Sequence, residues 1–501
     1  MDTSILKMLD RASEKYTGKV VYRDGEENIT FGELKKQAQA VGSWIAKKLP
    51  PESPVSVLAG RNIITPVCYL GIVQAGCFYA PMDLTMPASR LNQILSVVDS
   101  KVMLVSKENI ELANSLEYKG EIVVIEDILD TQIDEDLLKS AQNNLTEYSP
   151  LYVIFTSGSS GIPKGVITSH NSLMCYLDAL NEVIELNDED ILANQSPLDY
   201  IAAVRDIYLP LMSGAETVIV PKNEFAMGGR LFDVLNKYKV TTICWSAAGM
   251  EVPAKLGAFD EAVPEYLTKI VFSGSVLPGK YLKIWQDNLP NAMFVNQYGP
   301  TETTASCTYH VVDEKATEET VLSIGKPYKH YKILLLSEDN KAVSKGEVGE
   351  ICVSGPCLAL GYYGDEKRTS EAFIQNPLNK NYRELIYKTG DLGRIEEDGN
   401  LTFLGRKDRQ IKHMGHRIEL AELELTALKL DGIEECCVLY DADKKQIYMF
   451  VIGDNEPRDV VLHFRKKMPP FMVPRKIIKL EEMPRLPNSK IDMQDLKSYF
   501  K

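Results

Sequence analysis

The sequence predicts an α/β protein with a large N-terminal domain and a small C-terminal domain. Short runs of β-branched and other apolar residues recur along the first part of the chain, with amphipathic segments between them. Strands that alternate with amphipathic helices are typical of βαβ units, in which mostly parallel sheets are covered by helices. The predicted strands are residues 54–58, 102–105, 122–125, 151–155, 217–220, 241–245, 270–273 and 292–296.

A different pattern in residues 326–403 predicts an antiparallel, barrel-like part at the end of the large domain. Alternating strands are separated there by Gly and Asp turns, such as Glu397-Asp398-Gly399-Asn400. After the charged segment 407–410 the chain has its own strand signal at 447–453 and a short helix signal at 493–500. We therefore expect an N-terminal domain at 1–407, with two packed βα sheets plus the barrel-like part, and an α+β C-terminal domain at 408–501.

Charge and composition exclude several classes of function. Lys and Arg number 56 against 70 Asp and Glu, so the net charge is −14. Such a field repels phosphate polymers and anionic membranes, and we expect neither nucleic acid nor membrane as a partner. The nine cysteines form no Cys-x-x-Cys pair, which indicates neither a disulfide framework nor a zinc site. No leader or spanning segment is evident, so a cytoplasmic protein is expected.

The strongest local motif follows the predicted strand at 151–155. It is Thr156-Ser157-Gly158-Ser159-Ser160-Gly161-Ile162-Pro163-Lys164-Gly165. Glycines let the backbone turn tightly, N–H groups and hydroxyls donate to phosphate oxygens, and one lysine supplies a counter-charge. The spacing differs from the G-x-x-x-x-G-K-[ST] loop. We interpret the segment as a phosphate-binding loop, with a flexible Gly/Ser surface turn as the alternative.

Further motifs follow in an order and spacing that resemble a known family. They lie at residues 29–34, 74–83, 296–302, 349–351, 361–363, 387–392, 405–412 and 488–492, and the third is Asn296-Gln297-Tyr298-Gly299-Pro300-Thr301-Glu302. Together they resemble the adenylate-forming superfamily of acyl-CoA synthetases, luciferases and amino-acid-activating domains of nonribosomal peptide synthesis. Within it the chain is most similar to the stand-alone D-alanine:carrier-protein ligases.

The resemblance implies ATP and Mg²⁺ as cofactors and gives several residues a role. Tyr298 stacks on adenine, Asp391 accepts the ribose hydroxyls, and Arg406 adds a hydrogen bond to the ribose. Glu302 ligates Mg²⁺, and Lys490 bridges the substrate carboxylate and the α-phosphate. The implied catalytic residues are Lys490, Glu302 and Thr156. The implied nucleotide-binding residues are Thr156, Ser157, Gly158, Ser159, Ser160, Gly161, Lys164, Gln297, Tyr298, Gly299, Thr301, Asp391, Arg406 and Lys412.

The implied mechanism has two steps. The carboxylate attacks the α-phosphorus of ATP and pyrophosphate leaves, a reaction that depends on positioning and charge neutralisation and needs no enzyme nucleophile. The small domain, mobile in this family, then rotates about a hinge that maps to Asp408 and withdraws Lys490. Residues 413–416 replace it, and Gly415 lets the backbone approach an incoming pantetheine thiol.

The substrate pocket departs from the amino-acid-activating pattern. The aspartate that pairs the α-ammonium group in those relatives maps, without gaps, to Ile201, where an ammonium group would be unpaired. Asp199 could replace it if the chain is two residues shorter here and then compensates; on a strand, Asp199 would share a face with Ile201. We expect Arg205 to face solvent or to pair with Asp206 rather than to contact an acidic substrate. The pocket then has several hydroxyl or amide partners and no fixed anion. The pocket positions are Asp199, Ile201, Ala202, Arg205, Trp245 or Ala247, Val271, Ser273, Gln297, Ala305 and Ser306.

These residues favour a hydroxyaryl acid such as a hydroxybenzoate, or a small hydroxy or keto acid, over D-alanine. The expected acceptor is the phosphopantetheine thiol of a separate carrier protein, because the chain has no carrier segment of its own. The alternatives are an acyl- or aryl-CoA ligase and a ligase for D-alanine or another amino acid. An inactive module that only binds a carboxylate or nucleotide is a further alternative, but it would be expected to lose Lys490, Glu302 or Asp391, and all are present.

Overall fold

The computed structural model describes residues 4–158, 162–226, 228–485 and 491–500. The strands are β1 (Val20–Asp24), β2 (Glu27–Thr30), β3 (Pro54–Leu58), β4 (Phe78–Pro81), β5 (Val102–Val105), β6 (Glu121–Val124), β7 (Pro150–Thr156), β8 (Lys164–Ser169), β9 (Ile191–Asn194), β10 (Glu216–Ile219), β11 (Thr242–Ser246), β12 (Lys269–Ser273), β13 (Met293–Tyr298), β14 (Thr308–Val311), β15 (Lys326–Pro327), β16 (Lys332–Leu336), β17 (Val348–Ser354), β18 (Gly361–Tyr362), β19 (Phe373–Gln375), β20 (Leu385–Ile395), β21 (Leu401–Arg406), β22 (Gln410–His413), β23 (His416–Glu419), β24 (Ile433–Asp441), β25 (Gln446–Gly453) and β26 (Lys476–Lys479).

The α-helices alternate with these strands. They are α1 (Ile5–Lys15), α2 (Phe31–Ala46), α3 (Ile64–Gln74), α4 (Ala88–Val98), α5 (Ile110–Asn114), α6 (Glu135–Gln142), α7 (His170–Ile184), α8 (Val204–Ser213), α9 (Gly228–Lys237), α10 (Ala247–Lys255), α11 (Ala258–Glu261), α12 (Gly279–Asn288), α13 (Glu366–Ala372), α14 (Leu420–Ala427), α15 (Pro457–Lys467) and α16 (Met493–Lys497). Short 3₁₀ helices lie at Lys107–Asn109, Ile125–Ile128, Ile201–Ala203, Lys222–Ala226, Thr301–Thr303 and Pro470–Met472.

Two large sheets form the body of the N-terminal part. One has the strand order β18-β8-β7-β4-β3-β5-β6 and the other β15-β14-β13-β12-β11-β9-β10-β1-β2. The pairs inside both sheets are mostly parallel, as predicted, with antiparallel strands at the edges. Helix α3 is buried on nearly every side from Thr65 to Gln74, because it is enclosed between other elements and has no solvent face.

The third sheet is the predicted antiparallel barrel-like part. Its order is β16-β17-β20-β19, and β21 pairs with β20. The register of the β20–β21 pair places Asp391 opposite Arg406. Two residues with implied ribose contacts are therefore neighbours because of strand pairing alone.

The C-terminal part has its own sheets and its own core. A hairpin of β22 and β23 is followed by the sheet β24-β25-β26. Ile418, Leu423, Val438, Met449 and Phe464 belong to one buried cluster there. The sheets change between Arg406, the end of β21, and Gln410, the start of β22. The domain division at 407/408 stays a prediction.

All nine cysteines are free thiols, eight of them buried and Cys175 half-buried. Burial raises the pKa of each of them. Within the described ranges, no helix is both long and apolar enough to cross a bilayer.

Candidate active site

The predicted phosphate-binding loop joins β7 to β8 and begins and ends at paired residues. Thr156 lies opposite Lys164 in the antiparallel register. The Thr156 hydroxyl is buried and has no hydrogen-bond partner among the described residues. A Cβ on Gly158 would come 2.2 Å from the Ile162 carbonyl oxygen, so only glycine fits there. The unpaired hydroxyl suits a phosphate oxygen as its acceptor. Ser159, Ser160 and Gly161 lie outside the described residues.

Glu302 is the centre of a buried charged cluster. It lies on the 3₁₀ helix that follows β13, and its side chain is fully buried. Arg417 Nη1 donates to both carboxylate oxygens, at 2.8 and 2.7 Å. Tyr362 Oη donates to Oε1 at 2.7 Å, and Lys164 Nζ lies 3.2 Å from the same oxygen.

The neighbours of Glu302 keep its carboxylate ionised. Burial alone would raise the pKa of Glu302, but Arg417 and then Lys164 outweigh burial and hold it well below its usual range. Burial, assisted by Arg417, lowers the pKa of Lys164 to about 8. An ionised carboxylate is a suitable Mg²⁺ ligand, since Mg²⁺ needs only one or two protein carboxylates when phosphates supply the rest. In this structure both oxygens are bound by Arg417.

The side chains with implied adenosine contacts converge at the end of β13. Tyr298 Oη donates to Asp391 Oδ2 at 2.5 Å, and Arg406 Nη1 donates to Asp391 Oδ1. Lys412 Nζ lies 5.1 Å from the centroid of the Tyr298 ring. Each carboxylate oxygen keeps a further lone pair, so Asp391 can still accept ribose hydroxyls.

Gly299 and Thr301 continue the chain beyond Tyr298. A Cβ on Gly299 would lie 2.5 Å from Ser306 Cα, a distance that a real side chain cannot adopt. Glycine at this position therefore lets the segment of Ser306 pack against β13. Thr301 is buried at the start of the 3₁₀ helix that carries Glu302.

The predicted hinge residue is bonded to the implied ribose site. Arg406 donates from Nε and Nη2 to the two oxygens of Asp408, both at 2.7 Å. The backbone N–H of Gln410 also donates to Asp408 Oδ1, at 3.1 Å. A rotation at Asp408 would therefore disturb Arg406, and through it Asp391. The hinge role itself stays a prediction.

The β22–β23 hairpin places its turn against the N-terminal part. Gly415 has φ +84°, and its carbonyl accepts a hydrogen bond from Tyr200 Oη at 2.8 Å. A Cβ on Gly415 would lie 3.7 Å from the Cβ of Ser246. The His416 ring stacks on Phe471 with centroids 3.7 Å apart, and burial lowers its pKa to about 4. The hairpin thus occupies the place that the resemblance implies for the thiol step, while Lys490 lies outside the described residues.

A narrow crevice of about 60 Å³ lies between the two parts of the chain. Its walls include Phe155, Thr156, Asp199, His416 and Phe471. The crevice therefore connects the phosphate-binding loop to the hairpin, and mostly apolar walls suit a slender organic chain.

Asp199 lies in this crevice and not on a strand. Residues 198–199 form a turn and Ile201–Ala203 form a 3₁₀ helix. The prediction that Asp199 shares a strand face with Ile201 is therefore wrong, because the chain turns between them. Burial, and then Asp83, raise the pKa of Asp199. Ile201 is 6% exposed and packs in the main apolar core.

Arg205 is buried inside the substrate region, contrary to the expectation that it faces solvent or pairs with Asp206. Its side chain lies in the first turns of α8, and the residue is 1% exposed. Arg205 Nη1 donates to Gln297 Oε1 at 2.9 Å and to Ser273 Oγ at 3.3 Å. Asp206 accepts a bond from Asn194 Nδ2 at 2.7 Å instead. Successive residues of a helix point in different directions, so the two side chains diverge.

Strand alternation separates the remaining pocket candidates. Val271 and Cys244 are register partners on β12 and β11 and share a core cluster with Ile201. Trp245 packs in the other cluster and donates from Nε1 to the Ala193 carbonyl at 2.8 Å. The structure therefore does not bring Trp245 to Arg205, because neighbouring residues of a strand face opposite sides.

Gln297 connects the pocket side chains to each other. Its Oε1 also accepts from Ser306 Oγ at 3.3 Å and from Tyr176 Oη at 3.2 Å. Its Nε2 donates to Tyr328 Oη at 2.5 Å. Ala202, Ser273 and Ala305 are half-buried around this network, so part of it can be reached from outside the core.

The family assignment follows from comparison with known proteins. A model of the "AMP-binding enzyme" family matches residues 9–363, and a model of the "AMP-binding enzyme C-terminal domain" matches residues 422–490. The chain belongs to the AMP-binding enzyme family. The predicted resemblance to the adenylate-forming superfamily is confirmed, and the expected class of ATP-dependent, AMP-forming ligase is confirmed at the level of the family.

Similar proteins include large nonribosomal synthetases. The chain is 29% identical over 487 residues to delta-poly-L-ornithine synthetase of Acinetobacter baumannii, covering 95% of this chain and 35% of that protein. It is 28% identical to tyrocidine synthase 1 of Brevibacillus parabrevis, covering 98% and 45%. The chain therefore spans less than half the length of these relatives. Among solved structures, holo-PA1221, a protein containing adenylation and PCP domains, superposes with a TM-score of 0.85 at 23% identity, covering 99% and 84%.

Several residues of this AMP-binding enzyme site were not found by sequence reasoning. Tyr362 and Arg417 contact Glu302, Tyr200 contacts Gly415, and Tyr176 and Tyr328 contact Gln297. Arg417 lies two residues beyond Gly415, so the expected approach of residues 413–416 to the site could have indicated that Arg417 lies there too. Tyr362 lies inside the matched motif at 361–363, but the motif did not indicate what Tyr362 contacts. The other three lie in no motif.

Proposed function

We propose that this AMP-binding enzyme activates a small carboxylic acid with ATP and Mg²⁺ and transfers the acyl group to the phosphopantetheine thiol of a separate carrier protein. The observation that carries the proposal is the crevice between Thr156 and the Gly415 hairpin. It lies between Thr156 of the predicted phosphate-binding loop and His416 of the hairpin, where the thiol end of a pantetheine arm would have to arrive. The adenylation and PCP domains in holo-PA1221 are consistent with a carrier as the acceptor.

In the first half-reaction an oxygen of the substrate carboxylate bonds to the α-phosphorus, and the bond to pyrophosphate breaks. Thr156 would donate its free hydroxyl to a phosphate oxygen, and Lys164 would add positive charge near the loop. Bound Mg²⁺ would supply further neutralisation of phosphate charge, with Glu302 as its protein ligand. Lys490 would bridge the carboxylate and the α-phosphate.

In the second half-reaction the thiol sulfur bonds to the acyl carbon, AMP leaves, and the thiol proton passes to solvent. Arg417 would hold Glu302 in this orientation, and the Gly415 backbone lies beside the crevice. Because Glu302 is also the residue that would hold Mg²⁺, the Arg417 contact would compete with the metal for the same carboxylate. We therefore assign this orientation to the thiol step.

The acid is proposed to be a hydroxyaryl, hydroxy or keto acid and not an α-amino acid. Ile201 is buried in apolar surroundings and cannot pair an ammonium group. Arg205 Nη2, which has no partner among the described residues, and the half-buried Ser273 instead present donors that suit substrate oxygens.

Carboxylate-dependent ATP–pyrophosphate exchange tests the first half of the proposal. We expect exchange with aryl, hydroxy or keto acids, and weak exchange with D- and L-alanine. Strong exchange with alanine and none with the other acids would overturn the assignment of the acid. Nucleotide binding without exchange for any acid would favour the inactive binding module.

Thioester formation tests the second half. The acid that supports exchange is offered with a pantetheinylated carrier protein or with free CoA at equal concentration. We expect faster thioester formation on the carrier. Faster formation on CoA would instead identify an acyl- or aryl-CoA ligase.

A further inference from the structure

The Arg205 guanidinium has hydrogen-bonding capacity that the protein does not use. Arg205 Nε donates to the Ala202 carbonyl at 3.1 Å, and Nη1 donates to Ser273 and Gln297. Nη2 is buried and has no hydrogen-bond partner among the described residues. A guanidinium has five N–H donors, and the two on Nη2 are the ones left over. If Arg205 served only to link Ala202, Ser273 and Gln297, these two N–H groups would not be needed.

Arg205 also lacks a counter-ion. Among the described residues, no carboxylate oxygen lies within 4 Å of its guanidinium, whereas the buried Glu302, Glu422 and Asp391 each have an arginine partner. Apart from Asp206, the titratable groups that act on Arg205 are Tyr176, Cys244 and Tyr328, and burial raises the pKa of each. A buried, unpaired charge is strongly unfavourable, and proteins normally compensate it with an anion.

The closest acidic residue does not provide this compensation. Asp206 turns to Asn194, and burial raises its pKa to about 7, so its carboxyl is partly protonated at neutral pH. One of its oxygens has no hydrogen-bond partner among the described residues. Arg205 and Asp206 thus form no direct ion pair, although each charge stabilises the other at longer range.

The position of Arg205 indicates where a compensating anion would come from. Gln297 accepts from Arg205 and directly precedes Tyr298, which bonds to Asp391 at the implied nucleotide site. Ala202 and Ser273, the other two residues bonded to Arg205, are half-buried. The buried guanidinium is therefore bonded to two residues that are partly accessible and to one that adjoins the implied nucleotide site.

We infer that Arg205 binds a second carboxylate of the substrate, so that the acid activated by this enzyme is a small dicarboxylic acid that reacts at one end only. The inference rests on the proposed adenylation and transfer reactions, and it replaces the hydroxyaryl, hydroxy or keto acid proposed above by a dicarboxylic acid. One carboxylate faces the α-phosphate, and the distal carboxylate accepts from Arg205 Nη2, with Ser273 and Ser306 beside it. Guanidinium and carboxylate are well matched in geometry and charge. A neutral hydroxyl would satisfy a donor but leave the buried charge uncompensated.

The first test uses the unmodified enzyme and matched acids. Pyrophosphate exchange is measured with malonate, succinate, glutarate and benzene-1,3-dicarboxylate, and with the monoamide of each. We expect at least one diacid to exceed its monoamide by about 100-fold or more in kcat/KM, since the amide removes the distal charge. Equal rates for every pair would overturn the inference.

The second test removes or replaces the charged side chain at position 205. Arg205→Met should remove the preference for the diacid and raise the relative rate with the monoamide, whereas Arg205→Lys should keep part of the preference. Arg230→Met is the matched control, because Arg230 is 63% exposed and lies outside the pocket. Loss of both substrates in equal proportion by Arg205→Met, with normal folding by circular dichroism, would overturn the inference in favour of a purely structural arginine.

The two levels of proposal fail in different ways. Exchange with hydroxybenzoate or another monoacid, and with no diacid, would overturn the role of Arg205 while supporting the proposed function. Absence of exchange with every acid of both panels would overturn both.

Discussion

Replacing Arg417 by methionine should slow the transfer to the thiol and leave acyl-adenylate formation nearly unchanged. Arg417 donates to both oxygens of Glu302 across the two parts of the chain, and the side chains are 13% and 0% exposed. Removing one partner of such a buried pair typically costs 3–5 kcal/mol. Lys164 and Tyr362 remain on Glu302, so we take the lower limit, about 3 kcal/mol. At about 1.4 kcal/mol per factor of ten, this orientation becomes about 100-fold less populated.

The assay separates the two half-reactions. Pyrophosphate exchange reports adenylation, and rapid-quench transfer from purified acyl-AMP to the carrier reports the thiol step. We expect a loss of about 100-fold in the second and less than threefold in the first. Lys445→Met is the control, because its pair with Glu251 joins the same two parts but leaves Lys445 43% exposed, and such pairs contribute little. Equal losses in both half-reactions, or none in either, would refute this reasoning.

Three further predictions follow from buried groups. Glu302→Gln should lower Mg²⁺-dependent pyrophosphate exchange by about 100-fold or more while nucleotide binding without metal, measured by calorimetry, changes little. Glu422→Gln should slow thioester transfer by about tenfold in the rapid-quench assay without affecting exchange, since it removes the buried charge that pairs with Arg90 across the interface. The free energy of unfolding, measured with urea, should fall as pH drops from about 6.5 to about 4. Buried His170 accepts the Ile5 N–H at 3.3 Å, and burial lowers its pKa to about 4. In this pH range the unfolded chain therefore binds a proton that the folded chain does not. His170→Asn should abolish most of this loss, which amounts to at most about 3 kcal/mol.

Local sequence pattern was sufficient for much of the sheet. The strands at 54–58 and 102–105 were predicted at their observed ends, because parallel strands buried on both faces are continuous apolar runs between polar turns. The loop after Thr156 and the position of Asp391 were located by motif, and strand pairing brings Asp391, in β20, to Arg406. These features depend on short-range order along the chain.

The errors arose where tertiary contacts decide. Arg205 was named as a pocket position but expected outside, because an arginine is usually solvated and only tertiary packing buries it. Trp245 was named beside Ala247 by ungapped matching, although alternation along β11 turns Cys244, not Trp245, toward Arg205. Arg417 reaches Glu302 across the two parts of the chain, a contact that no local pattern specifies.

The burial of eight cysteines, and the partial burial of Cys175, would protect the product of the proposed first step from the enzyme's own thiols. An acyl-adenylate acylates any accessible thiolate, and it is the thiolate and not the thiol that attacks. Cys244 lies near Arg205, whose positive charge favours the thiolate. Burial outweighs that charge and raises the pKa of Cys244 to about 12. The chain's own sulfurs therefore stay protonated at neutral pH, and the activated acyl group is kept for a thiol that arrives from outside.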